Sequence, residues 1–201
     1  MFVACLLPLA ALLATALTRG LGANPVEALT HHTGDWALRL LLVTLAVSPL
    51  RALTGWSWLL RVRRMLGLFA FFYASLHLLI YVWLDQQLAL GDIVEDVLER
   101  PYVTLGFGAY VLLLPLALTS TNAMIRRLGA RRWRLLHRAV YAAAALAVAH
   151  FLWLVKADLR EPLIYAGVLA LLLALRFPPV ARSLAQGQGQ GQGQGQAQNR
   201  V

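Results

Sequence analysis

The stretch RRWRLLHRAVYAAAALAVAHFLWLV, residues 131–155, is apolar over a length that crosses a bilayer, yet it holds two histidines, His137 and His150. About 20 apolar residues suffice for a transmembrane helix. An ionisable side chain within such a segment is costly and marks a functional site by default, and imidazole is a common axial ligand of haem iron. The histidines are 13 residues apart, which is about 20 Å along a helix rising ~1.5 Å per residue. One therefore falls near each face of a bilayer. On an ideal helix the same spacing leaves them roughly 140° apart around the axis, so both face a bundle interior only if the helix is tilted, distorted or surrounded. A second stretch, RRMLGLFAFFYASLHLLIYVWL at residues 63–84, carries His77.

Outward from these two, six spans are predicted, at 2–18, 36–55, 63–84, 102–121, 133–155 and 162–177. The chain of 201 residues is 60% hydrophobic and only 13% charged; its mean hydropathy of +0.65 excludes a soluble domain. The fold expected is an all-α polytopic membrane bundle. Residues 1–180 form one transmembrane domain; residues 181–201, with alternating Gln and Gly from Gln186 to Gln196, read as a disordered tail. Phe2 to Thr18 is taken as a first membrane helix rather than a signal peptide, because no Lys or Arg precedes it. Pro49 and Pro115 interrupt two spans, which is tolerated where neighbouring helices satisfy the freed carbonyls. The single cysteine, Cys5, excludes disulfides, iron–sulfur clusters and covalent haem attachment, so any haem is b-type.

A net charge of +9 does not point to nucleic acid here, because the basic residues flank spans as orientation signals do. Arg51, Arg61, Arg63 and Arg64 border one loop; Arg126, Arg127, Arg131, Arg132 and Arg134 another; Arg176 and Arg182 follow the last span. The positive-inside rule puts them in the cytoplasm. All nine acids, Glu27, Asp35, Asp85, Asp92, Glu95, Asp96, Glu99, Asp158 and Glu161, fall on the opposite side. Both termini are then cytoplasmic, and the acidic loops are candidates for docking a partner by complementary charge.

Spans three and five run in the same direction, so His77 and His150 match in depth near the outer face, and a haem is expected between them. His137 lies toward the inner face. Arg63, 14 residues before His77, matches it in depth; arginine has no free lone pair and cannot ligate iron, but it pairs with a propionate, a phosphate or a quinone oxygen. Arg63, Gly67, Ala70, Ala74 and His77 follow 4-3-4-3 spacing along one helix face. Those small residues suit either a macrocycle or helix–helix packing, and His137 suits either a cofactor site or the membrane interface. His31 and His32 are read as residues of an outer loop spanning Asn24 to Trp36, with Thr33 or Asp35 capping span two.

Five stretches together resemble the MsrQ family, haem-binding membrane subunits of periplasmic methionine-sulfoxide reductase systems. They are Asn24-Pro25 through Trp36; Arg64-Met65-Leu66-Gly67 leading to His77; Arg100-Pro101-Tyr102; Pro115 to Asn122; and Arg132 to Arg138 leading to His150-Phe151-Leu152-Trp153. The wider relatives are ferric reductase and NADPH oxidase membrane domains, with two histidines on each of two helices. Here Arg63 stands where the fourth histidine would be. The resemblance implies His77 and His150 at one haem, with a second haem at His137 an open alternative. It also implies an association with FMN, an electron donor that is membrane quinol or a cytosolic flavin reductase, and a molybdenum-containing acceptor, MsrP, across the bacterial inner membrane. The chain itself is then an electron-transfer subunit rather than the catalytic one. The chain has no strand-associated G-x-G-x-x-G, so it takes no electrons from NAD(P)H in the usual way. The competing readings are a stand-alone ferric or cupric reductase, and a non-redox transporter with a histidine proton relay.

Overall fold

The computed structural model describes residues 1–176; the Gln/Gly tail and Arg182 lie outside the described residues. The described residues are helical, in the order α1 (Phe2–Thr18), α2 (Pro25–Thr54), α3 (Leu59–Ile80), α4 (Leu90–Glu99), α5 (Pro101–Leu118), α6 (Asn122–Leu128), α7 (Ala130–Leu136), α8 (Ala139–Leu154) and α9 (Arg160–Ala174). Four segments are long and apolar enough to cross a membrane: 25–54, 59–85, 101–118 and 130–154. α1 and α9 are apolar but shorter. Leucine, phenylalanine and tryptophan side chains are exposed along the helices, as expected where the surroundings are lipid tails.

The largest departure from the sequence reading is the start of α2. Asn24 to Trp36 is not a loop. Asn24 caps the helix, its Oδ1 accepting from Glu27 N at 3.3 Å, and Pro25 takes the first helical position. Asparagine followed by proline is a strong start signal, because the cap fills an orphan donor and proline has none to lose. Thr33 and Asp35 are therefore not caps. Thr33 is buried and donates back to Leu29 O at 2.8 Å. Asp35 accepts from Arg39 at 3.2 Å, so α2 carries a partly buried ion pair, which Tyr165 OH extends by accepting from Arg39 Nε at 2.8 Å.

α2 packs most extensively on α3, and α5 on α8; α8 joins the two pairs by resting on α2 and α9. Leu41, Leu45, Leu66, Phe69, Ala70, Tyr73, Ala143, Ala144 and Val148 form the core between them. Ala70, Ala143 and Ala144 are fully buried; at these positions the small residues serve close helix packing.

The span predicted at 133–155 is two helices. His137 and Arg138 form a turn between α7 and α8. Arg138 N, Val140 N and Tyr141 N each bond a carbonyl three residues back, at 3.1, 3.4 and 3.1 Å. Such tight turns advance about 20° more per residue than an α-helix, so three of them remove roughly 60° of the offset between His137 and His150. α3 ends in a π-helical turn, Tyr81–Asp85.

Candidate functional site: two cavities of opposite charge

His77 on α3 and His150 on α8 meet, with ring centroids 6.3 Å apart, on the wall of a cavity of about 510 Å³. Each ring is held the same way. His77 Nδ1 donates to Thr30 O at 2.9 Å, and His150 Nδ1 donates to Tyr102 O at 2.6 Å. A carbonyl only accepts, so the proton sits on Nδ1 and each neutral ring keeps its lone pair on Nε2. No hydrogen bond occupies either Nε2 among the described residues. Four residues beyond each accepting carbonyl, on the same helix, is a glycine. A Cβ on Gly34 would stand 3.0 Å from His77 Nδ1, and one on Gly106 2.9 Å from His150 Nδ1. The carbonyl and the glycine together make a seat for an imidazole edge, built once in the α2–α3 pair and again in the α5–α8 pair.

This geometry suits a metal that brings most of its own ligands. Among the described residues no three His, Cys, Asp or Glu side chains converge on one point. A metal–imidazole bond is about 2 Å long, so two rings on opposite sides of one metal have centroids on the order of 6 Å apart. The observed separation agrees, and the volume lies within the about 300–1,000 Å³ of typical cofactor pockets. A backbone carbonyl on the remote nitrogen is also the usual means of fixing a ligating histidine.

The second cavity, about 860 Å³, is lined by Arg63, Arg64, Arg131, Arg134, Arg138 and His137, with no carboxylate. Arg63 donates to Ser48 Oγ at 3.0 Å, and Arg64 to Asn122 Oδ1 at 2.6 Å. His137 stacks on Trp133 at 3.8 Å, bonds Trp133 O through Nδ1 at 3.0 Å, and has Ser120 Oγ 3.4 Å from Nε2. His137 and Arg63 thus share a cavity; the Ser120 hydroxyl beside Nε2 gives its proton to Leu116 O at 2.7 Å. Glu27, Asp35, Asp85 and Asp96 all line the first cavity. Leu41 and Leu113 line both cavities and separate them. The predicted face of α3 divides accordingly: Arg63 and Gly67 border the second cavity, Ala74 and His77 the first, and Ala70 packs between.

His31 and His32 do not join the His77–His150 pair, although His31 lines the same cavity. His31 is exposed, 3.9 Å from Glu27, and His32 Nε2 bonds Pro8 O at 3.1 Å, tying α1 to α2. Sequence reasoning missed both glycine seats; their only signal was a glycine at the depth of a histidine, Gly106 inside an apolar span and Gly34 in a polar stretch. It also passed over Arg39 and Tyr141.

Residues 33–148 match the family described as ferric reductase like transmembrane component. Among curated proteins, the protein-methionine-sulfoxide reductase heme-binding subunit MsrQ of Rhodospirillum rubrum is 55% identical over 186 residues, 92% of this chain and 89% of its own length. The MsrQ of Herminiimonas arsenicoxydans is 51% identical over 178 residues, covering 88% and 82%. That of Azospira oryzae is 60% identical over 157 residues, covering 78% and 67%. With its two imidazoles paired in one cavity and this extent of similarity, the chain belongs to the MsrQ haem-binding subunits within the ferric reductase-like transmembrane family.

Proposed function

We propose that this chain is the membrane electron-transfer subunit of a protein-methionine-sulfoxide reductase system, holding one b-type haem between His77 and His150. The observation that carries the reading is the convergence of two Nδ1-anchored imidazoles, Nε2 free, on one cavity. The haem supplies a one-electron iron couple. The protein's part is to fix both rings in the ligating tautomer, seat them on Gly34 and Gly106, and keep bulk water out with the leucines of α2 and α5.

The arginine-lined cavity is the electron-input side in this reading. Arg63, Arg64 and Arg138 recognise an electron-rich head group, a quinone carbonyl or the phosphate of FMN, by charge-assisted hydrogen bonds. The donor is then membrane quinol or a cytosolic flavin reductase. A second haem at His137 would have to find its other axial ligand outside the histidines, because Arg63 lines the cavity where a fourth histidine would stand, so one haem is favoured. α1 and α9 complete six spans, with the arginine side and both termini in the cytoplasm and the acidic side in the periplasm. There the acceptor is a molybdenum-containing MsrP-type reductase.

A reduced-minus-oxidised visible spectrum of purified protein tests the assignment. The wild type is expected to show a low-spin bis-histidine b-type signal, and His77→Ala or His150→Ala to lose most of it. Full retention in both variants refutes the ligand pair.

A further inference from the structure

α4 divides into three stripes. At 100° per residue, Leu90, Val94 and Leu98 fall on one side, Asp92, Glu95 and Glu99 on another, and Ile93, Asp96 and Val97 between them on a third. The third stripe lines the His77–His150 cavity. Asp96 fixes this register: Oδ2 accepts from Tyr81 OH at 3.1 Å and from Gln86 Nε2 at 3.0 Å, and Oδ1 lies 3.2 Å from Arg100 Nε. The chain reaches α4 through Gln87 and Leu88, both at positive φ, 49° and 64°. That conformation is unfavourable for residues other than glycine, so placing α4 here costs backbone strain.

The clasp and the cavity contacts account for one stripe. They leave Leu90, Val94 and Leu98 at 72%, 58% and 78% exposure, a run of apolar surface that water would not favour. It continues the lipid-facing surface on either side in the chain: Trp83 and Leu84 end the preceding span, and Phe107 opens the following one, all exposed. The acids, also exposed, are held apart from it on the helix. Segregated apolar and charged stripes on a short helix at the end of a span are the signature of an element lying in the membrane–water boundary.

We propose that α4 is an interfacial helix whose Leu90/Val94/Leu98 stripe is seated in the lipid at the acyl–headgroup boundary, with Asp92, Glu95 and Glu99 turned to water, so that the bilayer itself holds this wall of the His77–His150 cavity in place. Basic residues, which draw most such helices to anionic lipid, are absent from Leu90–Glu99. Seating is therefore apolar and independent of anionic lipid.

The test uses the full-length chain in phosphatidylcholine vesicles, with the buried Cys5 replaced by Ala and one nitroxide label at Val94→Cys, Leu98→Cys, Glu95→Cys or Glu99→Cys. All four side chains are exposed, so labels disturb no packing. Collision of each label with oxygen, which concentrates in lipid, and with a water-soluble nickel chelate is read by spin-label power saturation. Positions 94 and 98 should favour oxygen over the chelate several-fold more than 95 and 99, and the contrast should persist when phosphatidylglycerol replaces part of the phosphatidylcholine. Equal chelate access at all four positions would place the stripe in water and overturn the proposal. Shielding of 94 and 98 from both reagents would mean a protein surface covers it, and a contrast that depends on anionic lipid would mean charge rather than apolar contact seats the helix; either result overturns it too.

Discussion

Gly34 and Gly106 leave room for an imidazole edge where a methyl group would collide with it. Gly108, about half a turn away on α5, offers a control, since a Cβ there meets only Leu146 Cδ1 at an ordinary 3.5 Å. Gly106→Ala should force His150 off its carbonyl and cost about 1–3 kcal/mol, the usual penalty for overpacking. Gly108→Ala should be neutral or stabilise by about 0.5–1 kcal/mol, because alanine suits a helix interior better than glycine. Thermal unfolding in detergent, read together with the haem-to-protein ratio, distinguishes the two: both quantities should fall for Gly106→Ala alone. The histidines at this scale were legible from spacing and depth. Their tautomers were not, because Thr30 lies 47 residues from His77 and Tyr102 48 from His150, and no local pattern reports such a pair.

Where proline interrupts α2, the repair comes from a distant part of the chain. Pro49 lacks the N–H that would serve Leu45 O four residues back. Arg176, just beyond α9, donates to that carbonyl and also to Tyr141 OH, its guanidinium lying over the Tyr141 ring. Replacing Arg176 by Met should cost about 1–3 kcal/mol, the penalty for an orphaned buried carbonyl. In a Pro49→Ala background residue 49 supplies the missing donor, and the cost should shrink; a double-mutant cycle of unfolding in mixed micelles measures the coupling. Additive costs would show that Leu45 O does not depend on Arg176. α1 is keyed comparably near Pro8: Tyr73 OH donates to Cys5 O at 2.8 Å and accepts from Leu9 N at 3.2 Å, standing inside the helical ladder. The tolerance of Pro49 was anticipated, but which residue supplied it depended on how α9 returns against α2.

Among the described residues the acids gather at the cavity of His77 and His150, with Arg100 paired to Asp96 there, while the cavity of His137 is lined by arginines and no acid. This division gives each cavity a field suited to a different visitor. On the acidic side, Asp96 is occupied with Tyr81, Gln86 and Arg100, whereas Asp92, Glu95 and Glu99 are exposed and available to steer a partner. Neutralising those three to Asn or Gln should slow electron delivery to an MsrP-type reductase by roughly tenfold at low ionic strength and flatten its salt dependence, as loss of electrostatic steering does. Stopped-flow oxidation of the pre-reduced subunit by its acceptor measures this. Unchanged rates and salt response would exclude α4 as the steering surface.

What the sequence by itself determined is what composition, period and charge encode along a single segment: a helical membrane protein, the opposition of acids and arginines, and two histidines at one depth. It also contained a start signal, Asn24-Pro25 with Glu27, that places α2 eleven residues before the boundary at 36; hydropathy obscured it because His31, His32 and Asp35 made that turn look polar. Only the tertiary structure decided which ring nitrogens of His77 and His150 are free, where α7 gives way to α8, that His137 stacks on Trp133, and that Arg39 is neutralised within α2. Each of these is a contact between groups whose energy depends on the neighbour that desolvates or satisfies them, and a polar group in an apolar segment names a need without naming its partner.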